Sequence, residues 1–541
     1  MCPDSGKYGK ERRDIPVQGP KIEKVIFWVT FGGVLCLIVP LIMFPSGGAE
    51  VLGNAMNWMT RTLGWLHLWF FVVVFGFLLY VALGKYGRVR FGGPDSPPEF
   101  SLFSWGAMLF CAGIGASVIY WGTIEWAYYY TEPPFDIEPR SKEAIEWAAA
   151  YGMFHWGPLA WAIYTVPVLP LGYLYWNRGR PVLRLSAACE GAIGARAAAG
   201  LPGKIIDIVF ILGLLGGVGT SIGLSTPLIS AGIADLFGLE RTFLLDAFVI
   251  VIWSALFGFS VYSGLKRGIK VLSDINVWLV TALMAFVFVF GPTMFIIDSF
   301  THSVGLIFQN FIKMSFYADS VAKAGSAIAA SGVASAESGA TFAEEWTIFY
   351  WAWWVAYAPF MGLFIARISR GRTIREVILG EMIAGSLGCW LVFGVLGNTG
   401  MFFDLEGSQN LTEMVAIGQA PEAIIATIAA VGGRVLPVAA PLVALFVALA
   451  FIFGATTLDS AAYVLAAVAT KEQGRVVEPA RWHRIFWAIV LACVSLALMF
   501  AGGQQSIDAL KASSILVSIP LMAILVILAV SFMKWIREDV R

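Results

Sequence analysis

The chain has 541 residues, of which 58% are hydrophobic and only 13% charged. A soluble domain carries about 25% charged residues, so this composition excludes a water-soluble enzyme; the mean hydropathy is +0.77. Lys+Arg and Asp+Glu both total 36, so the charge balance points to no nucleic-acid partner. The N-terminus is polar through Lys24 without a cleavage signature, so the first span is expected to be retained. The six cysteines are scattered singly, with no CxxC, and read as small hydrophobes rather than a disulfide or metal framework.

Twelve apolar segments follow one another, at 22–43, 64–87, 103–123, 144–176, 205–237, 244–263, 272–296, 346–369, 376–398, 437–469, 483–501 and 508–534. Each is near the roughly 20 residues that cross a bilayer as a helix. Lipid offers the backbone no hydrogen bonds, so they read as helices, and the fold class expected is an all-α membrane protein with twelve transmembrane helices. With the N-terminus cytoplasmic, all Lys and Arg face the cytoplasm except Arg61, Arg140, Lys142, Arg241, Lys313, Lys323, Arg434 and Lys511. That asymmetry fits the positive-inside rule, and moving one span boundary would destroy it, so both termini are expected inside. Residues 298–318 are apolar but interrupted by polar positions, as in an interfacial amphipathic helix, and an Ala/Ser/Gly-rich linker follows. Residues 408–432 suggest a second interfacial helix, and no soluble domain is apparent.

The third span carries Gly113, Gly115, Ala116 and Ser117 at mid-membrane depth. Small residues there mean either close helix packing or an unwound segment whose carbonyls hold an ion or substrate. The tenth span carries Gly454, Thr456, Thr457, Asp459 and Ser460 together. Asp459 is expensive in lipid and is a candidate functional residue, or else a helix-pairing one. The two threonines either face a ligand or bond back to their own helix.

Interfacial belts account for Trp65, Trp69, Trp482 and Trp535. They do not account for residues 346–364, where Trp346, Tyr350, Trp353 or Trp354, Tyr357 and Met361 recur on one helical face. Trp156, Trp161 and Tyr164 lie in a Gly/Pro-loosened helix, and Tyr128 follows the glycine-rich stretch. An aromatic cluster with no acidic partner is either plain packing or a cage for a quaternary ammonium, a cation with no hydrogen to donate. His155, in the same region, reads as a hydrogen-bonded structural residue.

The segments AGIGASVIYWGTIEWAYYY, FHWGPLAWAIY, WTIFYWAWWVAYAPFMGLFIARISRGRTIRE and GATTLDSAAY resemble the betaine/choline/carnitine transporter family over about residues 20–535. The resemblance implies a leucine-transporter-like fold: two peripheral helices (22–101) and two inverted five-helix repeats (102–296 and 346–534). A periplasmic helix and linker (297–345) would join the repeats, between cytoplasmic tails at 1–21 and 535–541. It implies a homotrimer in the bacterial inner membrane, in contact with lipid, carrying a small trimethylammonium substrate. The aromatic box carried over is Trp156, Trp161, Tyr164 and Trp354, with Trp353 and Tyr357 toward the cytoplasmic pathway. Tyr128 and Met361 match substrate-contacting positions of the carnitine branch.

Two departures bear on coupling. Where the ion-independent carnitine exchangers place an arginine in the seventh span, this chain has no basic residue in 273–280, with Val277 near the position. Where sodium-coupled betaine carriers place two threonines in the fifth span, it has Leu214 and Val218. The pattern suggests at most one sodium ion, held by Thr456 and Thr457 with backbone oxygens of Cys111–Ile114, and no other cofactor. The expected function is sodium-coupled symport of a carnitine-like betaine or choline. The alternatives are a sodium-independent exchanger of carnitine/γ-butyrobetaine type and a transporter-like osmotic sensor. No nucleophile–base pair, metal-ligand spacing or phosphate loop supports an enzyme.

Overall fold

The computed structural model describes residues 20–111, 115–180, 182, 184–263, 266–323, 340–435, 438–471, 478–502, 512 and 515–540. Among the described residues the chain is helical apart from connecting loops and two isolated bridges, Ile22 with Thr470 and Arg90 with Thr373. The longer helices are α1 (Lys24–Met43), α2 (Pro45–Leu83), α3 (Leu102–Cys111), α4 (Gly115–Thr131), α5 (Lys142–His155) and α6 (Pro158–Gly172). Next come α7 (Leu201–Phe237), α8 (Phe243–Ser263), α9 (Lys266–Phe290) and α10 (Thr293–Ser315). The remainder are α11 (Phe349–Ile368), α12 (Ile374–Val392), α13 (Asn398–Leu405), α14 (Ala420–Gly433), α15 (Ala439–Val468), α16 (Arg481–Gly502) and α17 (Ser518–Asp539). Among the described residues, eight helical stretches are long and apolar enough to cross a membrane, or nine if one bent pair counts as a single span. The protein is an all-α membrane protein.

Several elements differ from their sequence-based limits. The second is a 39-residue helix starting at Pro45, because Pro at a first helical position costs no hydrogen bond and no further proline follows it before Leu83. Between α9 and α10 the chain turns by 108° at Gly291–Pro292, since proline lacks the N–H that would continue α9. Residues 408–432 form two helices instead of one interfacial helix. The second, α14, buries Ile424, Ile425, Ile428 and Val431 against α7 and α15, because its isoleucines occupy more than one face. The segment 535–541, expected as a tail, stays helical through Asp539 and is held there by Arg178, which bonds Glu538 at 2.8 Å and Asp539 at 3.1 Å. Trp535 is correspondingly buried beneath the Arg178 guanidinium, 5.1 Å from its ring centre, and is no belt residue. Trp65, Trp69 and Trp482 are each more than half exposed, as a belt requires.

The centre of the bundle is the pair α6 and α11. Every residue from Leu159 to Gly172 and from Phe349 to Leu363 is buried. Helices buried on all faces are interior ones. They approach closely because Gly362 faces Pro167: a Cβ there would stand 2.5 Å from the proline Cγ.

Candidate substrate site

Gly157 and Pro158 end α5 and start α6, so Trp156 occupies the elbow between them. Trp161 and Tyr164 follow at three-residue spacing on α6, toward α11. Trp354 projects from α11 into this group. Its ring centre lies 4.6 Å from Tyr164, 5.3 Å from Trp156 and 5.7 Å from Trp161. Trp161 and Tyr164 also meet edge to face at 5.7 Å. These are normal aromatic contact distances. All four rings are buried, with exposures of 2% or less. The structure therefore brings Trp156, Trp161, Tyr164 and Trp354 into one cluster centred on Trp354.

The cluster belongs to a longer aromatic column along α11. Trp353 packs edge-on to Trp156 at 5.9 Å and to Tyr357 at 5.7 Å. Met361 is buried one turn beyond Tyr357. In the other direction Tyr350 meets Trp156 at 5.8 Å. Tyr128 is not in the box: it packs on Trp346 at 5.2 Å and Trp121 at 6.2 Å. Trp346 precedes Trp354 by two helical turns. From Trp346 to Tyr357 the column spans about 16 Å at 1.5 Å per residue.

The expectation that no acidic group adjoins the aromatics is corrected. Glu125 of α4 is fully buried and accepts hydrogen bonds from Trp156 Nε1 at 3.2 Å, from Tyr129 at 2.5 Å and from the Tyr350 hydroxyl. It binds Trp156 at the indole N–H edge, while Tyr350, Trp353, Trp354 and Phe393 pack around the ring. His155 bonds Tyr129 through Nδ1 and Thr347 through Nε2, both at 2.9 Å, and stacks on Tyr350. Its role is structural, and it completes the same network. Glu125 was legible: it is the sole charged residue between Ser101 and Thr131, and an ionisable residue alone in a span is a functional candidate.

The ion residues divide. Gly113 and Ile114 lie outside the described residues, where Cys111 ends α3 and Gly115 begins α4. Ser117 is buried and lies 3.2 Å from Ser221 of α7. Thr456 and Thr457 both donate to the Phe453 carbonyl at 2.9 Å, so their hydrogens are used in back-bonding. Asp459 is paired with Arg484 of α16 at 3.2 Å. It is a helix-pairing residue.

Residues 25–541 match the family model described as BCCT, betaine/carnitine/choline family transporter. The chain belongs to this family. It is also 32% identical, over 468 residues, to the uncharacterized transporter YeaV of Escherichia coli (strain K12), which spans 86% of this chain and 92% of that relative. A betaine/carnitine/choline family transporter is a multi-pass membrane carrier and no enzyme. Its family points to a small quaternary ammonium substrate, and the buried aromatic column has the chemistry to receive one.

Proposed function

We propose that this transporter carries a trimethylammonium zwitterion such as carnitine or a related betaine, by alternating access around the cluster at Trp354. The observation that carries the reading is the convergence of four buried rings from α5–α6 and α11 on one another. A desolvated cation–aromatic contact is worth about 2 kcal/mol. The rings touch in this structure, so the ammonium group enters as they part. Two further donors favour a zwitterion over choline. Trp353 Nε1 and Trp354 Nε1 are buried with no hydrogen-bond partner among the described residues. Each such orphan costs about 1–3 kcal/mol unless a ligand satisfies it, and a carboxylate would.

Twelve spans with two inverted five-helix repeats, and coupling to one sodium ion at Thr456, Thr457 and the Cys111–Ile114 backbone, complete the proposal. A homotrimer fits the apolar face that α10 exposes through Met294, Ile297, Phe308 and Ile312. Placement in a bacterial inner membrane with both ends cytoplasmic fits Lys21, Lys24 and Lys471, which rim a pocket of about 580 Å³ walled by Phe27, Trp28, Phe31 and Trp482. That mixture of bases and aromatics suits a lipid headgroup boundary. The alternative is sodium-independent exchange, in which Thr456 and Thr457 serve only to back-bond their own helix. Uptake of radiolabelled carnitine, glycine betaine, γ-butyrobetaine and choline into proteoliposomes, with and without a sodium gradient and with and without preloading, separates the readings. Failure of all four ligands to bind or move would overturn the proposal.

A further inference from the structure

A second carboxyl group is buried beside the aromatic cluster. Glu381, on α12, has no exposed surface and is the only charged residue between Val377 and Phe403. Its Oε2 lies 2.9 Å from the hydroxyl of Thr165 on α6. Its Oε1 is buried and has no partner among the described residues. The same Thr165 hydroxyl lies 3.2 Å from the backbone carbonyl of Trp161, a member of the box. One helical turn along α12, Gly385 sits against the Trp161 ring, where a Cβ would come within 2.2 Å of the indole.

A threonine hydroxyl has one hydrogen, and an ionised carboxylate can only accept. Thr165 therefore cannot donate to both neighbours. When Glu381 carries a proton, it donates to Thr165 and Thr165 donates to Trp161, so the relay is complete. When Glu381 is ionised, Thr165 must turn to it and release the Trp161 carbonyl.

The charge would then face no cation. Residues 156–177 and 376–433 contain no Lys, Arg or His. Charged groups on the elements around α12 are exposed or engaged elsewhere: Arg88, Lys142 at the start of α5 and Glu376 on α12 itself are exposed. His67 of α2 bonds Ser518, Arg61 of α2 approaches Glu344, and Arg375 bonds the Ala82 carbonyl. Lys85 lies over the Tyr86 ring, and Glu125 of α4 and His155 of α5 belong to the network on Trp156. The titratable neighbours left are Tyr164 on α6 and Cys389 on α12 itself, neither of them a cation.

We propose that Glu381 is a proton-binding site that positions Trp161 through Thr165, so that the aromatic box takes up its quaternary ammonium ligand with Glu381 protonated. The effect on affinity rests on the box reading above; the proton site itself does not. The protonated carboxyl has an infrared carbonyl stretch of its own, readable in the ligand-free protein. That band is expected in wild type at neutral pH, to fade as pH rises, and to be missing in Glu381→Gln. Its absence from wild type at every pH where the protein stays folded would overturn the proposal.

Affinity for carnitine and glycine betaine, read by tryptophan fluorescence from acidic to alkaline pH, is the second arm. Wild type is expected to weaken about fivefold on the alkaline side, the factor one hydrogen bond is worth. Glu381→Gln, a permanently neutral donor, should keep the acidic-side affinity at all pH values. Thr165→Val should bind like alkaline wild type throughout. A Glu381→Gln profile that still falls with pH would overturn the positioning role. If Glu381→Gln does not purify as a monodisperse protein, Glu381→Met, which fills the site without charge, takes its place as the pH-independent control. If neither ligand binds at any pH while the infrared band titrates, the box reading fails and the proton site stands.

Discussion

The hydroxyl of Tyr357 on α11 lies 2.6 Å from the hydroxyl of Ser221 on α7. Ser221 in turn lies 3.2 Å from Ser117, near the start of α4. Three helices thus meet through side-chain oxygens next to Trp353, which Tyr357 contacts edge-on, and Gly217 lets the Tyr357 ring lie against α7. Tyr357→Phe removes one link and leaves the ring in place. Since the link joins helices that must move relative to one another, the expected result is a lower maximal transport rate with KM changed less than about threefold, a fraction of one hydrogen bond. The measurement is initial uptake in proteoliposomes over a range of substrate. A tenfold rise in KM at unchanged rate would mean that the hydroxyl touches the substrate instead.

Trp354 contacts all three other members of the box, so its loss should matter most. Trp354→Leu is expected to raise Kd about thirtyfold, the equivalent of one desolvated cation–aromatic contact of about 2 kcal/mol. Trp354→Tyr retains a ring face and should bind better than Trp354→Leu. Equilibrium binding of labelled carnitine or glycine betaine decides this. Unchanged affinity in Trp354→Leu for every trimethylammonium ligand would remove the residue from the site.

Helical spacing puts Trp346, Tyr350, Trp353 or Trp354, and Tyr357 on one face, whereas the grouping of Trp156, Trp161, Tyr164 and Trp354 into a box was implied by the family resemblance. Which face meets which helix is not periodic information. Tyr128, matched by resemblance to a substrate-contacting position outside the box, is delivered by α4 to Trp346, two turns from Trp354. Glu125, Glu381 and Ser221 are not marked by helical spacing at all. Each depends on a partner more than 30 positions distant in sequence, Trp156, Thr165 and Tyr357 respectively. The first two carried a usable signal, a lone carboxylate in an apolar run, and the rule applied to Asp459 would have found them. Asp459, by contrast, is explained by Arg484 on the next helix.

Glu125 holds Trp156 by its indole N–H while also accepting from Tyr129 and Tyr350. Glu125→Ala strands the buried Trp156 and Tyr350 donors, each worth about 1–3 kcal/mol when left unpaired, while Tyr129 keeps His155 Nδ1 as a partner. A fall in melting temperature, followed by tryptophan fluorescence in detergent, is the expected outcome. Glu125→Gln keeps an acceptor oxygen but brings two hydrogens into a ring of donors. It should fold, and bind substrate about tenfold more weakly because Trp156 loses its orientation. Wild-type affinity in Glu125→Gln would show that Trp156 is held by its packing on Trp353, Trp354 and Phe393 alone.

Sodium coupling turns on lone pairs. Thr456 and Thr457 each spend their single hydrogen on the Phe453 carbonyl. A hydroxyl retains two acceptor lone pairs after donating, and a cation requires only those. Back-bonding is therefore compatible with ligation and fixes which way the lone pairs point. Thr457 is the more buried of the two and Thr456 is half-buried, so Thr457 is expected to dominate. Asp459 is withdrawn from the ion by Arg484. Thr457→Ala should raise the sodium concentration for half-maximal uptake about tenfold or more, roughly the loss of one oxygen ligand in a dry site. Thr457→Ser keeps the oxygen and should stay near wild type, which separates ligation from packing of the methyl group. The decisive condition is a dissipated sodium gradient at fixed membrane potential and pH. If concentrative uptake then persists, and Thr456→Ala with Thr457→Ala leaves its rate unchanged, the threonines serve only their own helix. Uptake that instead depends on preloaded γ-butyrobetaine would make the protein an exchanger.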